Sequence, residues 1–397
     1  MKIKAIISLC LAVCLLLSIC ACNDTNGDDD LFATTAAPSP TKGTQTTAAP
    51  DDEEPPMSEE ERKEAERISC LENTTYLDFE LTGDNSPFYF GRWFEQTRGA
   101  NTYQVSVTAG STIYFLIQGA TSFDVNFVEV TQLQTPYFAY SIDGATPIRQ
   151  KITSPTVELP DTGAHTVRII ADGLNEHENK WIREEGFALK SIVPSEGGEI
   201  YGIRPQNKVI FFYGDSITEG ISALPGELST ADSNSASNSY PWQCCEALGA
   251  VPYMIAYGGT GIVASGSFNT MDKAIDFYSE DRRVDDGVIP DIIVINHGTN
   301  DKRLPANEFE PALEETLGRL RNKYPNTPIV YLIPLHQAQV ASIHKVMANV
   351  ENGYVIETDG WNLTYTDTVH PNAAGAKAAG EALAKALTDI FGKKFFA

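Results

Sequence analysis

Near residue 200 the apolar residues of this chain change period, and a chain that does so is built from two kinds of layer. Between about Cys70 and Pro194 they alternate with polar ones: Tyr103, Val105 and Val107; Phe123, Val125 and Phe127; Val167 and Ile169. Period two is the repeat of a strand with one face on a core. Turn chemistry at Gly83–Ser86, Asp143-Gly144, Asp161–Gly163 and Asp172-Gly173 cuts the stretch into short pieces. Short strands at this spacing predict a β-sandwich, jelly-roll-like, over residues 68–197.

From about Gly202 the pattern becomes compact apolar runs of buried-strand length: Lys208–Tyr213, Asp291–Asn296 and Thr327–Leu335. Helical stretches lie between or after them, at Glu308–Lys323, His336–Val350 and Ala373–Phe391. Strands alternating with helices predict a parallel sheet covered on both faces, an α/β domain over residues 198–397. Ligands of such sheets sit beyond the carboxyl ends of the strands.

The N-terminus is different again. Lys2 and Lys4 precede a fifteen-residue apolar run from Ala5 to Ile19, shorter than the roughly 20 residues of a membrane-spanning helix and suited to a signal peptide over residues 1–21. Ile19-Cys20-Ala21-Cys22 resembles the lipobox of bacterial lipoproteins, which implies cleavage before Cys22 and its lipidation; ordinary secretion is the alternative. Residues 22–67 are rich in Thr, Ala, Pro, Asp and Glu with almost no large apolar residue, the composition of a solvated linker. As a flexible tether it reaches about 35–40 Å, and Ser58–Arg67 within it reads as a short helix. The chain is thus expected outside the cytoplasm, lipid-anchored at a bacterial cell surface.

Charge and cysteines narrow the function. The 397 residues carry 29 Lys+Arg against 53 Asp+Glu, a net charge of −24, which excludes a nucleic-acid partner and favours a neutral or cationic ligand. Only Cys70, Cys244 and Cys245 remain for the body beyond the N-terminal segment, an odd number with no metal spacing, so neither a disulfide framework nor a metal site is expected.

Four motifs fall near strand ends. Gly214-Asp215-Ser216-Ile217-Thr218 follows the first apolar run; it could be a plain strand-to-helix turn capped by Ser216. Asp367-Thr368-Val369-His370-Pro371 precedes the Ala-rich helix, and a carboxylate three residues before a histidine can hold the imidazole so that its other nitrogen accepts a serine proton. Gly298-Thr299-Asn300-Asp301 ends the Asp291–Asn296 run, either as an Asx-type turn or with the Asn300 amide donating to an oxyanion. Tyr257-Gly258-Gly259-Thr260-Gly261 follows the apolar stretch Val251–Ala256, where glycine permits close approach of a backbone N–H.

In this order the four motifs resemble the blocks of the SGNH (GDSL) hydrolase superfamily, from about Lys208 to the C-terminus. The resemblance implies a flavodoxin-like three-layer α/β/α domain with no cofactor. It implies Ser216 as nucleophile, His370 as general base and Asp367 as the group orienting His370. The oxyanion hole would comprise the Ser216 N–H, the Asn300 side chain and a glycine N–H, taken as Gly259 rather than Gly258. Thr218 stands where a G-x-S-x-G elbow has its last glycine, which sets the chain apart from the α/β-hydrolases.

A β-sandwich ahead of such a domain resembles carbohydrate esterase family 2. Phe90-Gly91-Arg92-Trp93, Tyr140–Gly144 and Leu159–Val167 are similar to that family's first domain. The resemblance implies removal of acetyl groups from plant polysaccharides or oligosaccharides. The alternatives are a lipase- or thioesterase-like hydrolase of longer acyl chains, and a glycan-binding lipoprotein with a vestigial hydrolase domain. His297 is read as a partly buried structural histidine or a substrate contact, and Trp93 as core or a sugar-stacking ring. Trp242 is read as packing. His165, His177, His336 and His344 show no ligand spacing.

Overall fold

The computed structural model describes residues 57–397. The expected signal peptide, Cys22 and most of the linker lie outside these residues. The first element is the helix Glu59–Glu72, opened by a capping box between Ser58 and Glu61. Its Arg67 is buried and donates from Nη1 to the Tyr201 hydroxyl at 2.9 Å. The helix expected at Ser58–Arg67 is therefore packed on the folded body, because a guanidinium between Gln118 and Tyr201 ties it there.

Two antiparallel sheets form the sandwich. The seven-stranded sheet runs Phe79–Leu81, Glu199–Pro205, Thr112–Gln118, His165–Gly173, Tyr137–Ile142, Ile148–Lys151, with Phe88–Phe90 also paired to Thr112–Gln118. Phe94–Arg98, Asn101–Ser106, Phe187–Pro194, Ser122–Glu129 and Thr156–Glu158 form the facing sheet. Between them Ile113, Phe115, Ile117, Val125, Val167 and Ile169 share one core. Trp93 belongs to it, with Nε1 donating to the Thr112 carbonyl at 2.9 Å, so its core reading holds. The strand Glu199–Pro205 pairs inside this sheet and moves the changeover to Gln206–Lys208, later than the expected 197/198 boundary.

Five parallel strands follow, in the order Val251–Ala256, Val209–Gly214, Ile292–Asn296, Ile329–Leu332, Gly353–Ile356. Numbered along the chain that is 2-1-3-4-5, the flavodoxin-like order, with its switch point where the first strand lies between the second and third. Alternate residues enter two cores. Ile210, Phe212, Ile292 and Val294 pack with Cys244, Leu383 and Leu387. Phe211, Tyr213, Ile293 and Ile295 pack with Phe309, Leu313 and Ile343. Burial on both faces is why these strands read as unbroken apolar runs. The run Thr327–Leu335 shortens to Ile329–Leu332 between Pro328 and Pro334. The helix expected at His336–Val350 spans Val340–Met347, since Gln337 and Gln339 take positive φ.

The sandwich also packs against this α/β domain. Tyr114 and Leu116, on the face of their strand opposite Phe115, share a core with Phe211 and Tyr253. Strand His165–Gly173 is buried on every residue, so its two-residue alternation marked only one of two covered faces. Asp172 on this strand is fully buried and accepts from Ser237 N at 2.8 Å, Ser235 Oγ at 3.0 Å and Arg149 Nε. Cys70, Cys244 and Cys245 are all free thiols. Replacing Asp172 by Ala leaves Arg149 Nε and the Ser237 N–H without this acceptor, while Arg149 Nη1 and Nη2 keep the Asp232, Ala231 and Asn234 carbonyls. A stability loss of about 3–5 kcal/mol is expected from such a broken buried pair, read as a lowered denaturant midpoint with the slope unchanged.

Candidate active site

The first parallel strand ends at Gly214, where any side chain would strike Thr218: a Cβ would come within 1.9 Å of its Oγ1. Asp215 caps the one-turn helix Ser216–Glu219 by accepting from Ile217 N at 3.0 Å. Gly220, at φ +88°, stops the turn after Glu219. Ser216 is thereby presented at the carboxyl end of the sheet, on the switch point. As an N-terminal residue of the turn its own N–H has no partner among the described residues.

The loop 364–372 brings the second group. Asp367 Oδ1 accepts from Val369 N at 2.7 Å and His370 N at 2.6 Å, while Oδ2 accepts from His370 Nδ1 at 2.8 Å. With a proton on Nδ1 for the carboxylate, His370 Nε2 is the acceptor facing Ser216 Oγ at 2.9 Å. Burial pushes the Asp367 carboxyl up, but its bonds from His370 and Val369 outweigh this and hold it below the ordinary value. The carboxylate stays charged, as orientation of a developing imidazolium requires. His336 donates from Nε2 to the Val369 carbonyl at 2.8 Å and steadies the same loop.

Around these lie the donors. Asn300 Nδ2 donates one hydrogen to the Thr260 carbonyl at 2.9 Å, which orients the amide and leaves its second hydrogen unused. Gly258 N donates to Glu219 Oε2 at 2.8 Å, whereas the Gly259 N–H has no partner among the described residues. Its φ of +70° suits glycine, and Gly259 is thus the residue of this pair with an N–H to offer. Asp301 is a residue to which the sequence reading gave no role: its carboxylate accepts from Ile262, Val263 and Ala264 N–H at 2.8–3.1 Å and pins the glycine loop. Its position in Gly298–Asp301 was the available signal.

His297 is buried to 1 % exposure, which fits the structural reading of this residue. Burial pushes its pKa down to about 4, opposed by the Asp301 carboxylate. Asp215 is as fully buried, with Oδ2 unpartnered among the described residues, and burial pushes its pKa up to about 7. Among the described residues no three His, Cys, Asp or Glu side chains are grouped to hold a metal.

A serine hydroxyl, a carboxylate-oriented imidazole and three free donors at one strand switch point form an acyl-transfer constellation. Residues 212–378 match the GDSL-like Lipase/Acylhydrolase family. An acetylxylan esterase/glucomannan deacetylase of Cellvibrio japonicus is 28 % identical over 170 residues, covering 39 % of this chain and 46 % of that protein. The aligned part is thus less than half of that relative. Among solved structures, an acetyl xylan esterase from the rumen bacterium Butyrivibrio proteoclasticus has a TM-score of 0.63 at 17 % identity, covering 80 % of this chain and all of the other. A family two carbohydrate esterase of Clostridium thermocellum, in complex with cellohexaose, has a TM-score of 0.62 at 19 % identity, over 77 % and 99 %. Both likenesses take in more of the chain than residues 212–378 alone, and they show the fold, a β-sandwich followed by a three-layer α/β domain.

The two buried titrating groups give the protein a pH signature. Between about pH 6.5 and 4 the unfolded chain binds a proton at residue 297 that the folded protein refuses, so this group removes stability as pH falls. Asp215 acts oppositely: between about pH 4 and 7 the folded protein keeps a proton that the unfolded chain releases, so this group adds stability as pH falls. Each can contribute a slope of up to about 1.4 kcal/mol per pH unit. His297→Gln should therefore be less acid-sensitive than the natural protein and Asp215→Asn more so, in urea midpoints compared at pH 6.5 and 4.5.

Proposed function

We propose that this chain is a serine esterase that removes acetyl groups from the hydroxyls of a neutral polysaccharide or oligosaccharide. The observation that carries the reading is the Asp367–His370–Ser216 relay, with bonds of 2.8 and 2.9 Å. The acetyl specificity is supported by the named activity of the Cellvibrio relative. The net charge of −24 favours a neutral glycan over a polyanion.

In this mechanism Ser216 Oγ attacks the acetyl carbonyl while His370 Nε2 takes its proton. The developing oxyanion is met by Ser216 N–H, Gly259 N–H and Asn300 Nδ2. One such donor is typically worth about 10²–10³ in rate. His370 then gives its proton to the departing sugar oxygen, leaving an acetylated Ser216. A water deprotonated by the same imidazole attacks the acyl-enzyme, and acetate leaves as His370 returns the proton to Ser216. Asp367 stays ionised throughout and holds the Nδ1–H tautomer.

Acetate release from acetylated xylan and manno-oligosaccharides is the test. Ser216→Ala should lower kcat by roughly 10⁴–10⁶ and Asp367→Asn by about 10⁴. Equal background from the natural protein and Ser216→Ala, with turnover of octanoyl esters by the natural protein alone, would replace deacetylation by long-chain acyl hydrolysis. Sugar binding by both proteins, with neither turning over any ester, would leave a glycan-binding protein.

We also infer that the chain is anchored at a bacterial cell surface through lipid on Cys22, on the support of its position after Leu17-Ser18-Ile19-Cys20-Ala21. Metabolic labelling with an alkyne fatty acid should mark the natural protein and not Cys22→Ala. Equal labelling of both would refute the anchor.

A further inference from the structure

The oxyanion loop is held from the sandwich side by a group that the triad does not use. Lys180, in the loop joining strands His165–Gly173 and Phe187–Pro194, is fully buried, and its Nζ forms an ion pair with Glu219 Oε1. Glu219 is the last residue of the turn that begins with Ser216. Its other oxygen, Oε2, accepts from Gly258 N at 2.8 Å. One carboxylate therefore joins the nucleophile turn to the peptide preceding Gly259. Burial pushes the Glu219 carboxyl up, against the charge of Lys180.

The backbone of the same residue closes a second tie. Lys180 N donates to the Ser267 carbonyl at 3.0 Å, and Ser267 N donates to the Gly258 carbonyl at 2.8 Å. Trp181 packs edge-on to Phe268 at 4.7 Å, and Phe268 stacks on Tyr257 at 4.1 Å. Gly258 has no room for a side chain on the sandwich side, since a Cβ there would come within 2.4 Å of Glu176 Cγ. The anchor loop is rigid in its own right: Asn179 Oδ1 accepts from Ile182 N at 2.8 Å, and Glu184 Oε1 accepts from Arg282 Nε at 2.6 Å.

We propose that Lys180, supplied by the sandwich, is a positioning residue for the oxyanion hole, acting through Glu219 to fix the Gly258–Gly259 backbone against the turn that carries Ser216. The proposal rests on the serine-esterase reading above. Without Lys180 the Glu219 carboxylate is a lone buried charge, and the bond to Gly258 weakens as that group protonates or turns away. Gly259 N–H is then no longer held where the oxyanion forms, and the loss is bounded by the worth of one donor, about 10²–10³-fold.

The test uses the full chain and two readouts: the rate at which a fluorophosphonate probe labels Ser216, and kcat and KM on a soluble aryl acetate. The phosphonate oxygen occupies the oxyanion hole whichever ester is the natural substrate. Lys180→Met should lower the labelling rate and kcat by up to about 10²-fold with KM unchanged. A second comparison serves where Lys180→Met fails to fold. The double variant Lys180→Met/Glu219→Gln keeps an acceptor for Gly258 N–H without a buried charge, and Lys180→Met/Glu219→Met has none. The Gln form should stay within a few-fold of the natural rate and the Met form should fall by about 10². Equal labelling by these two, or natural-rate labelling by Lys180→Met, would overturn the proposal. A natural protein labelled at Ser216 that releases no acetate from glycans would fail the deacetylation reading alone, and the labelling rates would still decide the role of Lys180.

Discussion

A hydrogen bond of 2.9 Å between Ser216 and His370 spans 154 residues of chain, and most of the α/β domain is arranged so that it can form. Misplacing either group by about 1 Å can cost 10²-fold in rate, so each needs a rigid support. Ser216 stands on a capped turn at the end of a strand buried on both faces. His370 stands on a loop whose ends are sewn to the segment after that turn: Thr366 Oγ1 donates to the Ser222 carbonyl and Ala373 N to the Ala223 carbonyl, both at 2.7 Å. The helix that follows, Ala373–Phe391, shares a core with helix Tyr240–Leu248 and strand Val209–Gly214. The elements that carry Ser216 and His370 therefore rest on one packed layer.

The sandwich belongs to the same support. Asp172 fixes Ser235 and Ser237, and Ser235 N in turn donates to the Gly220 carbonyl at the end of the turn that carries Ser216. Arg92, also fully buried, lies over the Tyr278 ring at 5.0 Å and donates to the Phe277 carbonyl. Lys180 reaches Glu219 itself. Three charged side chains buried at or near one domain boundary are expensive to desolvate, and each has at least one partner on the α/β side: Ser235 and Ser237 for Asp172, the Phe277 carbonyl for Arg92 and Glu219 for Lys180. Such an arrangement couples the integrity of the site to the docking of the sandwich.

Much of this is legible in the sequence. The strand Val251–Ala256 and the helix Ala373–Phe391 coincide with the apolar stretches that announced them, because long periodic segments carry their own signal. The triad was legible because each member sits in a local motif at a strand end or before a helix. Strand Glu199–Pro205 was not, since its pairing with Thr112–Gln118 joins residues some eighty positions apart. Lys180 was not, since a lysine in a loop reads as solvated until a carboxylate from another domain is placed beside it. The choice between Gly258 and Gly259 needed Glu219 Oε2, which consumes the N–H of the first.

The sequence by itself determined two kinds of layer, the turn that carries Ser216 at a strand end and the three-residue spacing that lets Asp367 hold His370. These are local matters of period, capping and i,i+3 reach, and a chain carries them wherever it folds. The tertiary structure alone decided which N–H groups remain free, which faces of the sandwich are buried twice and which distant charges meet. Those depend on desolvation, and a group's loss of water is set by whatever other segments pack around it.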